Sequence, residues 1–305
     1  MLSNKALIQT FSYFDIFSYP LTLDEVFVFL VGEKLNKKNL QNEIRKYSFI
    51  EQKDQYYFLS GRQDLVPMRK MREEISNEKK LKAEKMVHLL CKIPTIEAVA
   101  LSGSVACKNA RPEDDIDLFF ITRKNSVWIS RFLVYFLLRL TDSIRNQKLT
   151  SDRFCPNMFV SEDALLIKTQ NLYTASEISH LIPLFERRNA FFQFIEQNHW
   201  IVNFFPNYKY KNKKRGKDFQ KKYRFISGIL LPFELAFFSA QYLMMKRKIT
   251  NEKISFSRIQ FHPEDLSSKI LGLWENRMNN TNLLDKSTYY DTSKESLFHD
   301  HTPGS

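Results

Sequence analysis

At 305 residues, 43% hydrophobic and 26% charged, the chain is too apolar for a disordered polymer and long enough for two or three domains. Seven glycines and ten prolines exclude collagen-like and linker-like architectures, and Cys91, Cys107 and Cys155 form no CxxC pair, so a reducing, cytoplasmic setting without a disulfide framework is expected. The net charge of +12 favours polyanionic partners (nucleic acid, nucleotides or an anionic membrane face) without choosing among them.

Residues 1–66 read as three helices followed by a hairpin. Leu7, Phe11, Phe14 and Phe17 recur at helical spacing, and Pro20 ends that helix. Thr22 with Glu25 forms a capping box for a second helix. Asn36 caps a third, which carries Leu40, Ile44 and Tyr47 inward and Lys37, Lys38, Arg45 and Lys46 outward. The hairpin pairs 49–52 with 56–59 around Lys53-Asp54. This order is that of a winged helix-turn-helix, whose third helix could enter a DNA groove or serve as a packing module. The opening MLSNKALIQTF has no basic start and small-residue cleavage site, so no export signal is expected.

Residues 67–95 predict a long charged linking helix, with its charges on a solvated face and Met71, Ile75, Leu81, Met86 and Leu89 inward. Residues 96–170 alternate apolar runs with polar loops: a strand at IEAVALS, a second at IDLFFIT, an apolar helix over 126–146 and a short strand at FCPNMFV. A small mixed sheet with helices on it follows. Residues 171–278 read as a helical region holding a basic linker at 208–224, and 279–305 as a polar, disordered tail. Phe225–Met245 is apolar over a length that could span a bilayer, but Glu234 near its centre would cost about 2.5–3.5 kcal/mol there, so a buried helix is expected. The fold class is α+β.

The chemistry lies in the stretch Leu101–Leu118. A strand ends at Ser102, and Gly103-Ser104 turns into a helix start where free N–H groups could receive a phosphate. Asp115 and Asp117, two residues apart at the start of the next strand, point to one face while Ile116 and Leu118 point to the other. Two carboxylates facing an anion-binding turn suit Mg²⁺ carrying a triphosphate. Lys108 could reach a phosphate.

This stretch resembles the DNA polymerase beta-like nucleotidyltransferase superfamily, above all its minimal bacterial members, including a group with a winged helix before the domain and a helical region after it. Gly103-Ser104, the Arg111-Pro112 spacer and Asp115-Ile116-Asp117-Leu118 carry the likeness. The resemblance implies that Gly103 and Ser104 hold the phosphates of an NTP and that Asp115 and Asp117 bind two Mg²⁺ or Mn²⁺ ions. It implies transfer of an NMP to a hydroxyl acceptor, whether small molecule, protein or RNA. Two departures stand out. Cys107-Lys108 replaces an Arg-Gly, and Asn157 occupies the middle of the strand expected to bear a third carboxylate, with Asp152, Glu162 and Asp163 flanking it. A catalytically weak nucleotide-sensing or DNA-binding regulator is the alternative reading, and a membrane-peripheral scaffold built on 225–245 the next.

Overall fold

The computed structural model describes residues 2–146, 149–210, 224–246, 253–260 and 264–295. Most of the basic linker (211–223) and the end of the tail (296–305) therefore lie outside the described residues. The protein is α+β. In chain order the elements begin with α1 (Asn4–Ile16), β1 (Leu21–Thr22), α2 (Leu23–Val28), a 3-10 turn (Lys37–Asn39), α3 (Leu40–Ile44), β2 (Ile50–Lys53), β3 (Tyr56–Leu59) and α4 (Leu65–Leu90). There follow β4 (Ile96–Leu101), α5 (Gly103–Ala106), β5 (Ile116–Thr122), α6 (Val127–Leu140) and β6 (Phe154–Ser161). The chain then forms α7 (Leu172–His180), β7 (Ile182–Glu186), α8 (Ala190–Gln197), α9 (Arg224–Lys246), β8 (Lys253–Ile254), β9 (Arg258–Gln260) and α10 (Glu264–Glu295). Two compact units emerge: residues to Arg69 with Val202–Tyr208 and the chain from Lys269, and Lys70–Ile201 with Lys209–Ser268.

In the first unit, the capping box forms as its sequence dictates: Thr22 Oγ1 accepts from Glu25 N, and the Glu25 carboxylate accepts from Thr22 N at 2.8 Å. The hairpin pairs Ile50 with Leu59 and Lys53 with Tyr56, and Asp54 takes the left-handed backbone that its turn requires. β1 adds a third antiparallel strand against β3. The third helix is shorter than its pattern implied. Asn36 caps the 3-10 turn, accepting from Lys38 N, and α3 spans five residues, so Tyr47 falls beyond it. α10 continues to Glu295, which corrects the expected disordered tail over 279–295. It is fastened to α1 by Trp274 Nε1 donating to Gln9 O (2.9 Å), by a Ser12–Thr281 hydroxyl pair and by Arg277 on the buried Asp15.

The second unit is built on a six-stranded mixed sheet in the order β7-β4-β5-β6-β9-β8, in which β5 and β6 run parallel and the other pairs antiparallel. Three of these strands, β7, β8 and β9, lie in the stretch read as a helical region with a basic linker, which corrects that expectation. β7, with Pro183, is an edge strand, where a missing N–H is tolerated. On one face of the sheet, Ile116, Leu118 and Phe120 of β5 join Ala83, Val87 and Leu90 of α4 and Trp128 and Val134 of α6 in the core. On the other face Phe119 packs on Phe194 of α8 (centroids 4.9 Å).

Two further expectations need correction. The inward stripe of α4 within this unit carries charge: Arg72 and Lys79 are buried with Ser76 and Ala83, whereas Met71 and Leu81 are exposed. These cations are tolerated because they meet oxygen atoms. Lys79 donates to the carbonyls of Pro112 (3.1 Å) and Asp114 (2.7 Å) and pairs with Asp152, and Arg72 donates to Asn109 Oδ1. Nor is α9 simply buried. Glu234 and Gln241 face inward, and Phe233, Leu235, Leu243 and Met244 are exposed. Among the described residues no helix is long and apolar enough to cross a membrane.

Candidate functional site

β4 and β5 are hydrogen-bonded neighbours, with Leu101 opposite Leu118. Ser102 N donates to Asp117 O (3.0 Å), which carries the Gly103-Ser104 turn directly over Asp117. Gly103 adopts φ +63°, left-handed backbone that an L side chain enters at a cost of about 1–2 kcal/mol. The close approach also requires glycine: a Cβ there would collide with Asp117 Oδ2 and lie 3.2 Å from its Cγ. The following helix, α5, is one turn of four residues, so what it offers an anion is its free N–H groups more than a macrodipole. Ser104 stands in that turn. Lys108 is exposed in left-handed backbone beyond the turn's far end.

The loop leading to Asp115 is held from α4. The Lys79 ammonium grips the carbonyls of Pro112 and Asp114, Ser76 Oγ accepts from Ala110 N (3.0 Å), and Asp114 Oδ2 accepts from Arg111 N. Asp115 thus leaves a braced loop one residue before β5 begins, and Asp117 follows on the same face.

The structure brings together Gly103, Asp115 and Asp117. It also adds Cys155, to which the sequence reading gave no role in the site. β6 enters its parallel pairing with Phe154 opposite Ile116 and Cys155 opposite Asp117. One carboxylate oxygen each of Asp115 and Asp117 and the Cys155 sulfur lie within 4.8 Å of one another. The third corner is therefore Cys155 and not Asn157. Asn157 falls where the β5–β6 register shifts, and it is buried against a neighbouring pocket. Asp152, Glu162 and Asp163 do not fill the corner; they pair with Lys79 and Lys82, with Arg188, and with Lys124 respectively.

Charge crowding marks the cluster. Burial, then the neighbouring Asp115 carboxylate and more weakly Glu177, push the Asp117 carboxyl from its ordinary 3.8 up to about 7, against a hydrogen bond from Cys155 and the field of Arg145. Burial and the same two aspartates hold the Cys155 thiol far above its ordinary range, so it stays a protonated donor. Arg145, on the segment between α6 and β6, places Nη1 at 2.8 Å from Asp115 Oδ2 and 3.8 Å from the Cys155 sulfur.

Beside the cluster lies a cavity of about 90 Å³ whose lining includes Ser102, Phe119, Asn157, Tyr173, Glu177 and Phe194. Its walls are mostly apolar. Ser102 Oγ is buried there without a hydrogen-bond partner. Glu177, on α7, lines the cavity, and burial raises its carboxyl to about 7. Cys155, Arg145 and Glu177 are the site residues that sequence reasoning missed. The first needed the strand register, and the other two stand in no motif.

The donor set fits a hard dication. Two carboxylates can hold Mg²⁺ or Mn²⁺ when triphosphate oxygens and water complete the shell, whereas a protonated thiol adds nothing to a magnesium site. The Arg145–Asp115 pair is half exposed on the arginine side and worth no more than about 1 kcal/mol, so it yields to a dication. Comparison with protein-family models, with curated proteins and with solved structures finds no match to this chain.

Proposed function

We propose that the second unit is a metal-dependent nucleotidyltransferase that moves an NMP from an NTP to a hydroxyl acceptor. The observation that carries this reading is the contact of Gly103 with Asp117: a glycine turn in left-handed backbone, pressed against one of two neighbouring carboxylates where two core strands meet. Neither a solvated acidic edge nor an ordinary tight turn calls for that approach. The spacing of Gly103-Ser104 and Asp115-x-Asp117, and their likeness to the polymerase beta-like superfamily, agree with it.

Asp115 and Asp117 would hold one or two Mg²⁺ or Mn²⁺ ions, which supply charge neutralisation for the triphosphate and for the departing pyrophosphate. The chain's own groups do the rest. The N–H groups of Gly103 and Ser104, with the Ser104 hydroxyl, receive phosphate oxygens, and Lys108 is the outer cation. Arg145 transfers from Asp115 to the phosphates once the carboxylate is engaged. The acceptor oxygen attacks the α-phosphorus, the bond from that phosphorus to the bridging oxygen breaks, and pyrophosphate leaves. With Cys155 at the third corner, the proton of the acceptor hydroxyl needs another base. Glu177, a carboxyl near pH 7 in the adjoining cavity, suits that task.

The test is pyrophosphate release from each NTP with Mn²⁺, together with label transfer. Turnover should fall by about 10²-fold or more in Asp115→Asn and in Asp117→Asn. Label transfer that survives both substitutions overturns the assignment.

A regulator reading retains support from two features. A thiol replaces the third carboxylate, and an arginine already neutralises Asp115, which favours holding a nucleotide over turning it over. On that reading the first unit is a winged helix. Its three helices and antiparallel ribbon have the right order, Lys38 and Arg45 are exposed, and Lys37 and Lys46 are paired with Asp24 and Glu43. DNA binding with a steep salt dependence, lost on charge reversal of Lys38 and Arg45, would favour it.

A further inference from the structure

The strongest feature that this function leaves unexplained is the outer face of α6 and α9. α9 turns two polar side chains inward and leaves part of its apolar surface outside. Glu234 is fully buried and accepts from Trp128 N (2.7 Å) and Ile129 N (2.9 Å) at the start of α6. Gln241 donates to Trp128 O and accepts from Arg131. Phe237 and Phe238 pack on the core, but other large apolar side chains point out, with Phe233 60%, Leu243 68% and Met244 77% exposed. α6 repeats the pattern with Phe132, Phe136 and Leu140 exposed. Phe132 packs on Phe237 (centroids 4.9 Å), so the two stripes form one surface.

A soluble helix turns its apolar stripe to the core. Here Glu234 and Gln241 take inward positions through hydrogen bonds, and Phe233, Leu235, Leu243 and Met244 are left outside. A continuous apolar surface of this kind marks an interaction site. The charge around it selects the partner. Neither helix carries a carboxylate besides the buried Glu234, and exposed Arg139 adjoins Leu140. The sequence joined to the start of α9, residues 208–224, holds nine lysines and arginines against Asp218, and Lys246-Arg247-Lys248 follow at its end. A second copy would bring the same cationic flanks together in a chain already at +12, which opposes self-association through this face. An anionic bilayer answers both features: basic flanks meet headgroups while the apolar stripe enters the acyl boundary.

We propose that the α6–α9 face docks on an anionic membrane surface, lying in the interface without crossing it. The purified full chain is floated with vesicles of phosphatidylcholine alone and of phosphatidylcholine with phosphatidylglycerol. It should rise with the anionic vesicles only. The triple variant Phe233→Ser/Leu243→Ser/Met244→Ser, at exposed positions, should keep the wild-type melting temperature and bind them at least about tenfold more weakly. Absence of binding to anionic vesicles overturns the proposal. So does binding that the triple variant retains in full, since the basic segments would then suffice. A concentration-dependent dimer in sedimentation that the same substitutions abolish also overturns it, by showing a second copy on this face.

Discussion

Replacing Asp117 by asparagine should stabilise the protein, and by an amount that depends on pH. Burial and Asp115 raise the Asp117 carboxyl from 3.8 to about 7. At 1.36 kcal/mol per pH unit, the ionised form is disfavoured in the folded state by about 4 kcal/mol. The sign follows from proton binding. Below about pH 4 the folded and unfolded chains both carry the proton and the burden is absent. Between about pH 4 and pH 7 the unfolded chain releases it first, so stability falls as pH rises; above about pH 7 the full burden is present. The amide of the variant cannot ionise and keeps nearly the same shape. Thermal unfolding of wild type and Asp117→Asn across this range, without divalent metal, measures the difference. The melting temperatures should coincide near pH 4 and separate by up to about 10 °C near pH 8, the variant being higher. Added Mn²⁺ should close the gap by stabilising the wild type alone. A gap that does not change with pH, or a variant less stable near pH 8, would refute the crowded-carboxylate site.

Three other substitutions probe separate parts of the structure. Gly103→Ala forces a Cβ into Asp117 and strains left-handed backbone; it should cost about 1–3 kcal/mol and abolish nucleotide binding, read by calorimetric titration. Arg145→Met removes the cation that shares Asp115, so it should tighten Mn²⁺ binding without nucleotide and weaken binding of the metal–nucleotide complex. Glu97, fully buried, holds Arg123 (2.7 Å) and Arg188 (2.6 Å); Glu97→Ala removes the carboxylate these two largely buried cations share and should lower stability by about 3–5 kcal/mol in denaturant titration.

What the sequence revealed and what it concealed divide along physical lines. The Thr22–Glu25 box, the hairpin around Asp54 and the strands at 96–101 and 116–122 follow from caps, turns and apolar runs confined to a few neighbouring residues. The acidic pair was legible because a two-residue spacing on a strand fixes a common face. Cys155 was not, because the phase of a parallel pairing comes from the long-range meeting of β5 and β6, and the register shift after Leu118 upsets any count from the strand's middle. β7 was hidden by Pro183, which reads as a helix break until the strand is known to lie at an edge. The buried Lys79 looked like a solvated charge because its partners are the carbonyls of Pro112 and Asp114, which no side-chain pattern announces. In α9 the apolar content was plain, but its direction depends on Glu234 finding the open N–H groups of α6.

The sulfur at the third corner gives the pocket of carboxylates a weakness that an all-oxygen cluster would lack. Zinc or cadmium, which prefer thiolate, can displace the Cys155 proton and take all three side chains at once, where magnesium can use only two. Such an ion would resist exchange by magnesium and, on the proposed function, would keep a triphosphate from seating normally. Trace thiophilic metal would therefore act as a poison of this site, relieved by a chelator and absent in Cys155→Ser.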